Sequence, residues 1–311
     1  MTDSGVLLMT YGSPASLERS DIAEYLGRVR AGREAEADLV DEFTRRYLVI
    51  GGSPLIDITT RQASALERSL GWPVEVGMRF SAPSIEAGLR SLDARGVRHV
   101  AAIVLSPQFS PLLMGGYERA IREAVSAGGT RAPAVPVADA WHTEPAFIEA
   151  LARRVRDGLT ALGDPGETPV LFTAHSLPRR VADQEPSYLD QLRETATLVA
   201  REAGLRDDRW RFCWQSAGHE PGEWMTPDFA DLMPVLASEG HRSVLVAPVQ
   251  FLADHLETLY DIDVGAREQA EAAGLAFARI DSLNDDPGFI AALGAVAIRT
   301  LEGIGLPVAS A

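Results

Sequence analysis

The stretch Ser243-Val-Leu-Val-Ala-Pro-Val249 is continuously apolar, and a segment rich in carboxylates follows it as far as Asp263. A continuous apolar run of this length is typical of a parallel strand that is covered on both faces. The spacing of Asp254, Glu257 and Asp261, at i, i+3 and i+7, predicts a helix that carries all three on one face. The stretch therefore predicts a strand followed by a helix with an acidic row.

A second apolar run, at 169–174, ends in the lone imidazole of His175. The segment Ser176-Leu-Pro178 stops the strand abruptly and predicts that His175 lies at the mouth of a loop. On residue type alone, such a histidine is more often structural, and such an acidic row is more often a solvated face. Both segments follow strands, however, and open α/β sheets bind ligands at the carboxyl ends of their strands. We therefore favour a site that combines a base with metal-binding carboxylates.

Strand-like and helical segments alternate along all 311 residues, which predicts a doubly wound parallel α/β architecture. The eight strand-like runs divide four and four, so we expect two similar domains, each with a four-stranded parallel sheet flanked by helices. The first domain should span 1–143, with a C-terminal helix at about 286–303 packing back on it. The second should span 144–285, with the active-site cleft between the two. The runs lie at 5–11, 74–80, 97–105, 135–140, 169–174, 210–215, 243–249 and 275–280.

The composition excludes several classes of protein. The net charge of -15 disfavours a nucleic-acid partner, because phosphates would be repelled. All 29 basic residues are arginine, which excludes a P-loop lysine and a pyridoxal Schiff base. The single cysteine, Cys213, excludes an internal disulfide and an iron-sulfur cluster held by several cysteines. No apolar stretch is long enough to span a membrane, and no signal peptide is visible, so we expect a cytoplasmic protein without integral membrane association.

Five segments of the chain resemble the successive motifs of ferrochelatases, in the family's order. The resemblance implies a lyase-class metal chelatase that inserts Fe2+ into a porphyrin during haem biosynthesis. It implies that His175 and Glu257 deliver the metal and remove pyrrole protons, and that Tyr11 lies near the macrocycle. The wording of the motifs is most similar to the soluble bacterial enzymes that use coproporphyrin III. The segments are Leu7-Leu-Met-Thr-Tyr-Gly-Ser-Pro14, Arg45-Arg-Tyr-Leu-Val-Ile-Gly-Gly-Ser-Pro-Leu55, Thr173-Ala-His-Ser-Leu-Pro178, Trp214-Gln-Ser-Ala-Gly218 and Asp254-His-Leu-Glu-Thr-Leu-Tyr-Asp261.

The remaining candidate residues would bind the porphyrin. Its propionates need cations, and its plane needs flat apolar walls on loops, such as Trp224 with Met225 and the run 112–114. The arginines are equally compatible with a solvated helix face, because acidic residues lie among them. The predicted substrate-binding residues are Tyr11, Arg28, Arg30, Arg46, Ser53, Tyr117 and Trp224.

Two positions depart from the family's pattern. Gln108 stands where many members carry histidine, and Gly265 stands where some carry an acidic residue, so an outer metal site should be weak or missing. The glycine turn from Ile50 to Pro54 is also shorter than usual. We expect no permanently bound cofactor, with Fe2+ as a substrate. The expected partners are the porphyrin, Fe2+ and, transiently, neighbouring haem-pathway enzymes.

Five other functions compete with this interpretation. A serine hydrolase is disfavoured because Gln215-Ser-Ala-Gly218 lacks the leading glycine of a nucleophile elbow. A dinucleotide oxidoreductase is disfavoured because no Gly-x-Gly-x-x-Gly follows the first strand. A protoporphyrin IX ferrochelatase, or a chelatase for another metal and tetrapyrrole, would use similar residues. A porphyrin or haem carrier would keep the cleft but lack turnover.

Overall fold

The computed structural model describes residues 3–163, 166–218 and 222–305. The chain divides into two compact units. Unit 1 comprises Met1–Trp141, Ala253–Leu256 and Asn284–Ala311, and unit 2 comprises His142–Leu252 and Glu257–Leu283. Within the described ranges, no helix combines the length and apolar character that crossing a membrane requires.

Unit 1 is built around a parallel sheet in the order β2-β1-β3. In the central strand, Val6, Leu7, Leu8 and Met9 are completely buried. Ser110 accepts a hydrogen bond from the Leu113 amide and so caps the helix that follows the last strand. The elements are β1 (Ser4–Thr10), α1 (Arg19–Val29), α2 (Ala37–Ile50), α3 (Leu55–Leu70), β2 (Val74–Met78), α4 (Ile85–Ala94), β3 (His99–Val104), α5 (Pro111–Ser126) and α11 (Pro287–Glu302).

The fourth strand predicted for this sheet, at 135–140, does not form. The segment makes a single parallel bridge, Ala102↔Val137, supported by hydrogen bonds from the Ala102 amide to the Pro136 carbonyl and from the Ala138 amide to the Ala102 carbonyl. Pro136 interrupts the run, and a proline has no N–H with which to continue a ladder. The first sheet therefore has three paired strands in the described part of the chain, and the prediction of four was wrong.

Unit 2 contains a parallel sheet in the order β5-β4-β6-β7. Strand β4 is central, pairing with β5 on one side and β6 on the other. A π-helix, Glu257–Ala266, packs its buried Ile262 and Ala266 into the same core as Val244 and Val246 of β6. The other elements are α6 (Pro145–Ala161), β4 (Val170–His175), α7 (Arg179–Ala182), α8 (Pro186–Glu202), a 3-10 turn (Asp207–Arg209), β5 (Trp210–Gln215), α9 (Phe229–Ser238), β6 (Ser243–Pro248), α10 (Arg267–Ala272) and β7 (Ala276–Arg279).

The predicted α/β class is confirmed, with parallel sheets flanked by helices. One detail of the predicted domain division is wrong, because residues 253–256 belong to unit 1 rather than to the second domain. Ala253 packs in a buried cluster with Leu55 and Ile58 of α3, which accounts for this placement. The cleft expected between the domains stays a prediction.

Candidate active site

His175 and Glu257 come together within unit 2. His175 is the last residue of the central strand β4, and Glu257 is the first residue of the π-helix. His175 Nε2 lies 3.7 Å from Glu257 Oε1, and the two side chains are 30% and 35% exposed. Both side chains are therefore partly exposed, and they are close enough to bind one ion between them.

The environment of His175 fixes which ring nitrogen carries its proton. His175 Nδ1 lies 2.5 Å from the carbonyl oxygen of Ser176, and a carbonyl can only accept a hydrogen bond. In the neutral ring, Nδ1 therefore carries the hydrogen and Nε2 keeps a free lone pair. The Phe251 ring stands edge-on to the imidazole, with the ring centroids 6.4 Å apart. The nitrogen that approaches Glu257 is thus the one able to accept a proton or bind a metal.

The acidic row does not form one helix face as predicted. Asp254 precedes the helix and belongs to unit 1, where its amide donates to Asn284 Oδ1 and its Oδ2 accepts from Asn284 Nδ2, both at 2.9 Å. Glu257 and Asp261 remain on one element, and the π-helix has i→i+5 hydrogen bonds that change the angular spacing of its side chains. The prediction failed because it assumed α-helical geometry from the start of the segment.

An ion pair ties the π-helix to the sheet of unit 2. Arg279 at the end of β7 donates to both carboxylate oxygens of Asp263, at 2.8 and 2.9 Å. The same guanidinium donates to the Ile280 carbonyl and to Ser282 Oγ, both at 3.0 Å. These contacts fix the helix that carries Glu257.

Within residues 3–163, 166–218 and 222–305, no group of three or more His, Cys, Asp or Glu side chains is arranged to hold a metal ion. His175 and Glu257 provide a two-ligand arrangement. Gln108 is fully buried beyond β3, and Gly265 lies in the π-helix. Neither placement tests the expected weakness of an outer metal site, which stays a prediction.

In unit 1, a group of aromatic rings and one arginine gathers at the carboxyl ends of β1 and β2. The Arg79 and Phe80 amides donate to the Thr10 and Tyr11 carbonyls, at 2.9 and 3.0 Å, and so continue the pairing beyond β2. The Tyr11 ring is 46% exposed and lies 5.2 Å from the Phe80 ring and 6.4 Å from the Tyr117 ring. Tyr11 and Tyr117, both predicted from the sequence, are thus neighbours.

Arg79 was missed by the sequence analysis. Its guanidinium carbon lies 4.7 Å from the Phe80 ring centre and 5.3 Å from the Tyr117 ring centre, distances typical of cation–π contacts. A side chain at Gly116 would overlap this guanidinium, so the glycine on α5 leaves room for it. Burial raises the pKa of the Tyr117 hydroxyl well above its usual range. The Tyr117 side chain is therefore neutral, and its ring packs against the guanidinium of Arg79.

Arg28 lines a surface cavity of about 680 Å³ that also contacts Arg79 and Phe80. Arg28 Nε donates to the Phe80 carbonyl at 2.6 Å, and its Nη1 pairs with Glu24. The cavity is lined by two guanidinium groups and an aromatic ring, and also by the carboxylates of Glu24 and Glu34. An anionic ligand would therefore bind the arginines in competition with these carboxylates.

The other predicted cations lie elsewhere in unit 1. Arg30 follows α1 and Arg46 is in α2, and neither lines this cavity; nor does Ser53, which lies beyond α2. Arg46 Nε donates to Glu42 at 2.8 Å, and hydrogen bonds from Arg45 and Arg46 lower the pKa of Glu42 to about 2. The α2 arginines therefore already have a carboxylate partner.

Trp224 lies in unit 2 with His175. It forms an antiparallel bridge with Pro178, in the loop that follows His175. A Cβ at Gly218 would come within 2.8 Å of the indole, so the glycine of the Trp214-to-Gly218 motif permits this packing. The apolar residues predicted to lie exposed on loops do so only in part. Residues 112–114 belong to α5, and Met225 is buried.

Comparison with known proteins decides the family. The family model described as Ferrochelatase matches residues 3–301. The chain belongs to the ferrochelatase family. A ferrochelatase from Deinococcus radiodurans is 38% identical over 303 residues, covering 95% of each chain. A coproporphyrin III ferrochelatase from Geobacillus sp. (strain WCH70) is 35% identical over 310 residues, covering 96% of this chain and 98% of the relative.

Solved structures agree on the fold of this ferrochelatase-family chain. The structure described as SirB from Bacillus subtilis with Fe3+ has a TM-score of 0.56 and 12% identity, with 97% of each chain covered. CbiX, described as the terminal enzyme for biosynthesis of siroheme in denitrifying bacteria, has a TM-score of 0.56 and 14% identity. At such low identity these likenesses show the fold alone. The family predicted from the sequence motifs is confirmed by the family match.

Proposed function

We propose that this protein inserts Fe2+ into coproporphyrin III. The observation that carries the proposal is the 3.7 Å approach of His175 Nε2 to Glu257 Oε1, in a chain of the ferrochelatase family. Metal insertion exchanges the two pyrrole N–H protons of a free-base porphyrin for one Fe2+. The site must therefore accept two protons in each turnover, and this pair supplies two acceptors.

The geometry suggests an order for the proton transfers. His175 Nε2 has the free lone pair and accepts the first pyrrole proton. The resulting imidazolium faces the carboxylate of Glu257, which stabilises the positive charge. Glu257 accepts the second proton. Asp261, further along the same half-buried helix, then takes protons outward.

The same two groups can handle the iron. Imidazole and carboxylate bind Fe2+ without the strong grip of thiolates. Two protein ligands leave most of the coordination sphere to water and the incoming pyrrole nitrogens. Such a site holds the ion briefly and releases it into the macrocycle. Iron is a substrate in this scheme, and no resident cofactor takes part.

The choice of porphyrin rests on unit 1. Coproporphyrin III carries four propionates, whereas protoporphyrin IX carries two. The cavity lined by Arg28 and Arg79, and also by Glu24 and Glu34, offers two cations that propionates could bind in competition with the two carboxylates, and Tyr11 offers an exposed ring beside it. The name of the Geobacillus relative specifies coproporphyrin III. Greater water solubility of the four-propionate porphyrin also suits an enzyme that works in the cytoplasm.

An anaerobic assay with Fe2+ and each porphyrin tests the proposal. We expect a higher kcat/KM for coproporphyrin III than for protoporphyrin IX, and the preference should weaken as salt screens exposed charges. Both porphyrins must be shown to be monomeric under the assay conditions. Equal or better turnover of protoporphyrin IX would assign that substrate instead. Tight porphyrin binding without turnover would indicate a carrier.

A further inference from the structure

We propose that Gln250 is a positioning residue for His175 and that the buried hydroxyl of Tyr188 holds Gln250 in place. The inference rests on the proposed function, because it assigns Gln250 a role in preparing the same imidazole for proton transfer. All three residues belong to unit 2.

Strands β4 and β6 are paired only as far as Thr173↔Pro248. The Val249 amide donates to the Thr173 carbonyl at 2.9 Å, and the His175 amide lies beyond this last backbone contact. There, the side-chain oxygen of Gln250 accepts from the His175 amide, also at 2.9 Å. The side chain thus replaces the backbone acceptor that a longer β6 would have supplied.

The other end of the Gln250 amide is held by a rigid partner. Gln250 Nε2 donates to the Tyr188 hydroxyl at 2.6 Å. Tyr188 lies in α8 and is only 1% exposed, so its ring is fixed by the surrounding core. The path from α8 through Gln250 to His175 therefore consists of two hydrogen bonds, of 2.6 and 2.9 Å, that start from a buried tyrosine.

The backbone around His175 is held on the opposite side as well. The Ser176 amide donates to the Gln215 carbonyl of β5 at 2.7 Å. The Ser176 carbonyl in turn accepts from His175 Nδ1. Loss of the Gln250 contact would release one of the two sides and let the imidazole tilt away from Glu257. A misplacement of about 1 Å can lower a rate about 100-fold.

The test combines turnover with hydrogen exchange of the His175 amide, measured by NMR. Gln250→Leu should lower kcat about 10- to 100-fold and leave KM for coproporphyrin III within about twofold. The His175 amide should exchange about tenfold faster in this variant. Tyr188→Phe should shift both readouts in the same direction by a smaller factor. Gln250→Glu keeps an acceptor oxygen and should restore slow exchange.

The matched control is Gln184→Leu, because Gln184 is exposed and donates to the nearby Arg180 carbonyl at 3.0 Å. This variant should match the wild type in both readouts.

The inference would be overturned if Gln250→Leu left kcat or the hydrogen exchange of the His175 amide unchanged. It would also be overturned if amide exchange became faster throughout the sheet and porphyrin binding weakened in parallel, because the variant would then have lost its general structure. If Gln250→Leu does not fold, kcat and the exchange of the His175 amide in Tyr188→Phe and Gln250→Glu test the inference instead. If the wild type inserts no iron, the proposed function fails, while the exchange data still decide whether Gln250 positions His175.

Discussion

The two units of the chain carry opposite chemistries at the ends of their strands. In unit 2, the central strand ends in His175, with the carboxylate of Glu257 beside it. In unit 1, the central strand is followed by Tyr11, with the cation Arg79 and the neutral Tyr117 nearby. Proton acceptors are thus grouped in one unit, and a cation with aromatic rings is grouped in the other.

Under the proposed function, this difference would divide proton transfer and porphyrin binding between the two units. Groups that accept protons and bind iron must be basic, whereas a surface that binds coproporphyrin III, a flat molecule with four propionates, must be cationic and apolar. A cation beside His175 would disfavour its protonation, and a carboxylate in place of Arg79 would repel the propionates. We therefore expect changes in unit 2 to act on kcat and changes in unit 1 to act on KM.

The largest effect should come from His175→Ala. Loss of a positioned base should lower kcat about 10²- to 10⁴-fold, with porphyrin affinity nearly unchanged. Steady-state assays and porphyrin fluorescence titration measure the two quantities. His241→Ala is a matched control, because His241 Nε2 lies 3.8 Å from Glu239 in the same unit, beside the start of β6. A variant with more than about a tenth of normal turnover would remove His175 from its role.

The next effect separates two carboxylates of the π-helix. Glu257→Gln removes the acceptor beside His175 and should lower kcat about 100-fold. Asp261→Asn lies further along the helix and should lower kcat less than about tenfold, because it acts only on proton release. Glu239→Gln serves as the control. Equal and small losses at Glu257 and Asp261 would make the acidic row a solvated face.

Arginine substitutions should affect substrate binding. Arg28→Gln removes a cation from the cavity and should raise KM for coproporphyrin III about tenfold, as expected for loss of a charged hydrogen bond. Arg46→Gln should raise KM by no more than about twofold, because Arg46 does not line the cavity. Measurements at low and high salt should show the difference shrinking. A larger effect at Arg46 would place the propionates against α2.

The smallest effect concerns acid stability in unit 1. Because its pKa is lowered from 4.5 to about 2, Glu42 contributes stability above pH 4.5 that is lost as the pH falls towards 2. In Glu42→Gln, urea unfolding between pH 5 and 2 should lack this contribution, which is under about 1 kcal/mol for such a surface network. Glu123→Gln on α5 is the control. An unchanged pH dependence would show that the arginine contacts do not stabilise the folded state.

The sequence predicted the parts of this structure that depend on local pattern. Continuous apolar runs located β4 and β6, and parallel pairing brought His175 near the segment that follows β6. The run at 135–140 was predicted as a strand from its apolar character, but Pro136 within it cannot donate to a ladder. The π-helix was misread because residue spacing alone does not reveal a change from α-helical hydrogen bonding.

Contacts between distant residues could not be predicted. Tyr188 and Gln250 are 62 positions apart, and no local pattern relates a buried tyrosine in α8 to a glutamine after β6. Arg79 was likewise hidden, because its role depends on the rings of Phe80 and Tyr117 that surround it. The sequence predicts a strand over 74–80 that includes Arg79, whereas β2 ends at Met78, so the position of Arg79 beyond the strand is visible only in the structure.

A double-mutant cycle on His175 and Glu257 tests the central claim most directly, namely that the two side chains act as one unit in iron insertion. The rate constant is measured with saturating coproporphyrin III and Fe2+ for the wild type, His175→Ala, Glu257→Gln and the double variant. If the residues act together, the double variant should be within about threefold of His175→Ala alone. If the separate losses multiply in the double variant, the two residues act independently and the account is contradicted.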